Sequence, residues 1–147
     1  MGAEAPRILV VDDEPQIVRA LKVVLREAGF QAVAAETASQ ALDLAAVHPP
    51  AAAIVDLVLP DGDGVEFLAE LRASADTRAI PVILLSLEAD VRARVRGLTT
   101  GADEYIGKPY EKGYLLSCAK ELVRSGRLDR TARQPTSLLV IDPSETF

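Results

Sequence analysis

With 147 residues, 49% of them hydrophobic and 4% aromatic, the chain has room for one domain and part of another around a largely aliphatic core. A net charge of −6 and a pI near 4.8 argue against non-specific binding of nucleic acid or an anionic membrane. The lone Cys118 excludes an internal disulfide and suits a reducing, cytoplasmic setting; no apolar run approaches the roughly 20 residues of a membrane span, and Met1–Pro6 lacks the basic and apolar regions of a signal peptide.

Arg7 to Val11 is a short β-branched run that closes on two adjacent acids, Asp12 and Asp13. Glu14 and Pro15 open a helix, acid and proline both being favourable in a first turn. Its apolar stripe is Ile17, Leu21, Val24 and Leu25 with Ala20 and Ala28, and Gly29 stops it. Phe30 to Ala35 reads as a weaker strand. Thr37 and Gln40 form a capping box for a second helix that carries Ala41, Leu42 and Leu44 inward, ending at His48-Pro49-Pro50.

The next stretch is the most informative. Ala53 to Val55 reads as a strand buried on both faces, and Asp56 follows where that strand should run out. An unpaired carboxylate inside such a strand is very costly, so Asp56 is expected at its carboxyl end, facing a crevice and a compensating positive charge. Pro60, Gly62 and Gly64 then turn the chain into a helix from about Val65 to Ala73, with Val65, Leu68 and Leu71 on one face. A fourth strand, Val82 to Leu85, ends at Ser86. A helix is expected over about Asp90 to Leu98 and a short fifth strand over Glu104 to Gly107, closing on Lys108-Pro109. A last helix, Lys112 to about Val123, offers Tyr114, Leu115, Cys118, Ala119 and Leu122 to the core.

Strands alternating with helices predict a doubly wound α/β fold, a parallel sheet with helices on both faces. In such sheets ligands bind beyond the carboxyl ends of the strands, where strand order reverses. Asp12, Asp13, Asp56, Ser86 and Lys108 all fall on that one edge.

Three carboxylates in one crevice repel, which raises at least one pKa unless a cation intervenes. Mg²⁺ accepts one or two carboxylates, keeps several waters and completes its octahedron with a phosphate oxygen. Lys108 adds a point charge for a second phosphate oxygen, and the Ser86 hydroxyl can donate to a third. One carboxylate is left as nucleophile, able to form an acyl phosphate. Asp56, on the central strand, is the candidate.

These residues carry a resemblance. Val10-Val11-Asp12-Asp13-Glu14-Pro15, Val55-Asp56-Leu57 with Pro60 and Asp63-Gly64, Leu85-Ser86, and Gly101-Ala102-Asp103-Glu104-Tyr105 through Lys108-Pro109-Tyr110 together resemble the receiver domain of a two-component response regulator, over about Arg7 to Val123. The resemblance implies a flavodoxin-like five-stranded parallel sheet of order 2-1-3-4-5. It implies transfer of a phosphoryl group from a bacterial histidine kinase or phosphotransfer protein to Asp56. It also implies that Asp13, Asp56 and the Val58 backbone carbonyl hold Mg²⁺ directly, with Asp12 acting mainly through water. Ser86 and Tyr105 match the switch pair, and Lys108-Pro109 matches a peptide bond usually cis in the family. Phosphorylation and dephosphorylation at Asp56 would be the only chemistry, with no turnover of an external substrate. The residue after Ser86 departs from the pattern: Leu87 stands where the family usually keeps a small residue, and its bulk is expected to slow labelling of Asp56 by small phosphodonors.

Residues 6–124 are therefore read as a receiver, 125–136 as a linker and 137–147 as a second element. Ser137-Leu-Leu-Val-Ile-Asp-Pro143 repeats the sense of Arg7-Ile-Leu-Val-Val-Asp-Asp13, as if a second receiver began there with Pro143 in place of its second acid. The alternative is an apolar tail packed on the sheet edge or on a neighbouring chain. No DNA-binding segment follows within these residues, so output is expected from further chain or from a partner protein, without direct contact to nucleic acid or membrane.

Competing readings are weaker. A phosphatase of the haloacid dehalogenase type needs acids spaced D-x-D, which Asp12-Asp13 does not supply, and a flavodoxin-like cofactor binder would want a phosphate-cradling loop where Asp12 to Pro15 repels phosphate. A degenerate receiver used only as a protein-binding module stays open. Asp61-Gly62-Asp63-Gly64 is read as a turn, since Leu59 stands where a calcium loop needs an acid. Arg92, Arg94 and Arg96 read as a solvated helix face or a charged partner surface, His48 as a helix-end residue and Cys118 as core packing.

Overall fold

The computed structural model describes residues 5–87 and 91–128. Five strands, β1 (Arg7–Val11), β2 (Gln31–Ala35), β3 (Ala52–Asp56), β6 (Val82–Ser86) and β7 (Glu104–Gly107), form one parallel sheet in the order β2-β1-β3-β6-β7. Counting these strands alone, that is the expected 2-1-3-4-5. Between β3 and β6 the chain forms a small antiparallel hairpin, β4 (Val58–Leu59) and β5 (Gly62–Asp63), within the stretch expected as a turn.

Five helices cover the sheet: α1 (Pro15–Glu27), α2 (Ala38–Val47), α3 (Gly64–Ala73), α4 (Val91–Thr100) and α5 (Lys112–Leu128). Strand side chains alternate between two cores, as the period of two requires. Leu9, Val11, Ala53, Val55, Val82 and Leu84 pack with α2 and α3. Ile8, Val10, Ala52, Ile54, Ile83 and Leu85 pack with Leu21 and Leu25 of α1 and Leu115, Ala119 and Val123 of α5. Each fully buried aliphatic side chain stabilises the fold by roughly 1.5–3 kcal/mol. With both faces covered, β1, β3 and β6 must read as unbroken apolar runs, and they do.

Helix ends follow local chemistry. Gly29, at φ +96°, ends α1, and the Phe30 amide returns to the Leu25 carbonyl at 3.0 Å. Thr37 caps α2 by accepting from the Gln40 amide at 3.1 Å, whereas the Gln40 side chain accepts from Glu36, one residue upstream of the expected box. Asp63 and Glu66 form a complete capping box at α3.

Several expectations need correction. Tyr114 is 50% exposed, because the buried stripe of α5 is Leu115, Ala119 and Val123 and leaves Tyr114 on its rim. Ala20 faces solvent, and in α2 the deeply buried residues are Ala41 and Ala45, with Leu42 and Leu44 on the flanks. Glu14 is the N-cap of α1 without a side-chain cap bond, so its acid lies outside the first turn. Phe30 precedes β2, and α5 continues past Val123 to Leu128. Asp90, the rest of the expected linker and the 137–147 repeat lie outside the described residues.

Candidate functional site

Parallel register brings the polar strand ends to one edge. Asp56 closes β3 opposite Leu85, and Ser86 closes β6 opposite Gly107. Asp12 follows β1 and is pinned by its amide to the Ala35 carbonyl at 3.0 Å; Lys108 follows β7, its amide 2.7 Å from the Ser86 carbonyl. The sheet thus gathers residues far apart in sequence by extending each strand to the same level.

The Lys108 ammonium lies 3.2 Å from Asp56 Oδ1, 3.4 Å from Asp12 Oδ2 and 3.8 Å from Glu14 Oε1. Its side chain is only 7% exposed, against 2% for Asp12 and 11% for Asp56. Asp12 spends its other oxygen on the Glu14 amide at 2.9 Å. Carboxylate oxygens of Asp12, Asp13 and Asp56 all lie within 4.8 Å of one another, with Asp13 at the exposed side. A convergent set of carboxylates, one of them solvent-facing, suits a hard cation that keeps part of its water.

Electrostatics agree. Burial pushes the Asp56 carboxyl above its ordinary range; Lys108 pulls it down, Asp12 pushes it up, and the Val58 amide donates a stabilising hydrogen bond. Burial depresses the Lys108 ammonium, but the adjacent Asp56 and Asp12 carboxylates reverse this and leave its pKa raised. One lysine does not fully neutralise the acids around it, and an added cation would.

A cleft of about 460 Å³ opens above this cluster, lined by Asp13, Glu14, Asp56, Val58, Leu87 and Lys108 among others. Ser86 is buried at its floor, while Leu87 stands at its mouth with 75% of its surface exposed. Tyr105, expected as the partner of Ser86, is 6% exposed and packs in the core beside Leu84, so its ring is already turned inward. The Lys108-Pro109 peptide bond is cis.

Asp12, Asp13, Asp56, Ser86 and Lys108 share the expected edge, while Glu14, which reaches Lys108, and Asp61, which bonds to α2, carry no site role in the sequence pattern. A third acid directly after Asp13 was a signal for the first. Nothing in the sequence pointed Asp61 at a helix end. Arg96, read as part of a charged face, pairs with Asp63 at 2.5 Å and ties α4 to the hairpin beside the cleft. Arg7 and His48 pair at the opposite end of the sheet, where His48 caps α2.

A sequence model of the response regulator receiver domain matches residues 8–120. The chain belongs to that family. This receiver is 41% identical over 128 residues to the transcriptional regulatory protein KdpE of Mycobacterium tuberculosis, covering 87% of the chain and 55% of that protein. It is 40% identical over 120 residues to the phosphate regulon transcriptional regulatory protein PhoB of Escherichia coli, covering 82% of the chain and 52% of PhoB. The chain therefore spans about half the length of these relatives. The receiver domain of the sensor histidine kinase PA1611 from Pseudomonas aeruginosa, solved with a magnesium ion in its active-site cleft, superposes with a TM-score of 0.75 at 27% identity, over 81% of this chain and 98% of that one. Among the described residues of the receiver, no helix is long and apolar enough to cross a membrane.

Proposed function

We propose that this receiver takes a phosphoryl group onto Asp56 from the phosphohistidine of a histidine kinase or phosphotransfer protein. The observation that carries this reading is the Lys108 ammonium shared between Asp56 and Asp12 at the floor of an acidic cleft. The Asp56 carboxylate attacks phosphorus, an O–P bond forms as the N–P bond of the donor breaks, and the imidazole leaves with the electron pair. Asp13, Asp56 and the Val58 carbonyl would hold Mg²⁺, and Asp12, whose oxygens are engaged by Lys108 and the Glu14 amide, would act through water. When bound, Mg²⁺ neutralises the acids and draws charge from the phosphoryl oxygens. Lys108 moves onto one of those oxygens and the Ser86 hydroxyl onto another.

Phosphorylation then biases a two-state surface through Ser86 and Tyr105, on the face made by α4 and β7. Arg92, Arg94 and Arg96 are exposed on α4, with Arg96 engaged by Asp63 of the hairpin. The chemistry is limited to gain and loss of phosphate at Asp56, in a cytoplasmic setting. The receiver spans residues 6–124 and its last helix runs on to Leu128; the following stretch to 136 is assigned as a linker, and 137–147 as the start of a second receiver-like element or an apolar tail. KdpE and PhoB are named as transcriptional regulators; output is assigned to further chain or to a downstream partner protein, with no direct nucleic-acid contact by this acidic segment.

Labelling with a radioactive phosphodonor in Mg²⁺ tests the reading. The decisive result is Mg²⁺-dependent label on the wild-type chain and none on Asp56→Asn. Label retained by Asp56→Asn would overturn it, as would a wild-type chain that neither labels nor responds to Mg²⁺ with beryllofluoride.

A further inference from the structure

Asp61 sits at the tip of the β4–β5 hairpin, yet its carboxylate points across to another element. Oδ1 accepts from the Ala38 amide at 2.9 Å and Oδ2 from the Ser39 amide at 3.1 Å. These are the first two amides of α2, which have no partner inside the helix. Thr37 takes the third, from Gln40. Asp61 thus completes a helix cap from 22 to 23 residues away in the chain, and those bonds hold its carboxyl below the ordinary range.

The bond also has a consequence at the other end of the hairpin. Two paired residues per strand have little stability of their own, so the hairpin takes its position from its tethers. Its base is fixed to the cleft: the Val58 amide donates to the Asp56 carboxylate, and the Gly64 amide bonds the Leu57 carbonyl at 2.6 Å. Gly64 crosses so close to Asp56 that an added Cβ would lie 2.6 Å from the Asp56 carbonyl oxygen. Asp63 holds the return strand by capping α3 and pairing with Arg96. Asp61 is the tether on the α2 side.

We propose that Asp61 is a positioning residue for the phosphoacceptor site: anchored to the first turn of α2, it holds the β4–β5 hairpin so that the Val58 main chain stays in register with Asp56. The inference rests on the reading of Asp56 and Val58 as metal-holding groups, and it goes further by assigning their alignment to a carboxylate outside the cleft. Partners that orient metal-holding groups typically change affinity by 10–100-fold when lost. Asp61 acts at one remove through a short hairpin, so a loss of about tenfold is expected.

The experiment titrates the full chain with Mg²⁺ alone, by calorimetry, and follows amide exchange of Val58 and Gly64 in metal-free buffer. Asp61→Ala should bind Mg²⁺ about tenfold more weakly and exchange both amides faster. Asp61→Asn, keeping one carbonyl acceptor, should fall between Asp61→Ala and the wild type. Thr37→Ala removes a cap bond of the same helix without touching the hairpin, and should lower the melting temperature while leaving Mg²⁺ affinity and both amides unchanged. Unchanged Mg²⁺ affinity in Asp61→Ala, or an equal loss in Thr37→Ala, would overturn the inference alone. A wild-type chain that takes up no Mg²⁺ would overturn the metal reading and this inference with it.

Discussion

Lys108 and Asp56 are in contact at 3.2 Å, and still the Asp56 carboxyl is held above its ordinary range. A lone ion pair would depress it. Here burial of Asp56 and the like charge of Asp12 outweigh the lysine, so the ionised carboxylate is a strained state of the folded receiver.

Removing the charge of Asp56 should therefore help the metal-free fold. A carboxyl whose folded pKa exceeds its unfolded value near 3.8 contributes its full stability below that pH and loses it as pH rises through the raised folded value. In EDTA at neutral pH, Asp56→Asn should melt above the wild type, and the gap should close in acid below pH 3.8. Thermal melts across pH, with and without chelator, check this; Mg²⁺ should raise the wild type far more than the variant.

Lys108→Ala should have the opposite effect. It leaves Asp12 and Asp56 side by side without their cation, a cost of roughly 1–3 kcal/mol for groups this little exposed. Denaturant unfolding in EDTA reads the loss. Mg²⁺ should recover much of it, while phosphotransfer to Asp56 stays low because no ammonium meets the phosphoryl oxygens.

Leu87 stands at the mouth of the cleft that holds Asp56, Ser86 and Lys108. Cutting it back to Ala should speed labelling by a small phosphodonor several-fold, since approach along the attack line is then less obstructed. Its exposed position predicts almost no change in melting temperature. An unchanged labelling rate would mean that Leu87 does not crowd the entrance.

Arg72 separates stability from the site. At the far end of α3, its guanidinium donates to the carbonyls of Gly101, Arg78 and Ile80 and pairs with Asp103, which also accepts the Val82 amide. This cluster lies where β6 and β7 begin, on the sheet edge opposite the cleft. Lysine cannot reproduce the planar fork, so both Arg72→Lys and Arg72→Ala should destabilise, the latter by roughly 3 kcal/mol. Mg²⁺ titration of the surviving folded protein should match the wild type.

The alternation of strands and helices, the aliphatic two-faced sheet and the acids at the strand ends are all legible in the residue pattern. Those are local properties: Asp56 after an unbroken apolar run, Asp12 and Asp13 after another, and Lys108 after the short Glu104–Gly107 strand can each be read within a few residues. The same pattern marks Gly29 as a helix stop and Thr37 as a cap, because both act through their own neighbours. Which groups meet across the fold is set by packing. Asp61 reaching α2, Arg96 reaching Asp63 and Arg72 gathering carbonyls from separate loops depend on packing distances that no local pattern encodes. Tyr114 left the core for the same reason: the choice of which side of α5 faces the sheet was made by Leu115, Ala119 and Val123 against β1, β3 and β6, and a ring on the rim then found Glu104 instead.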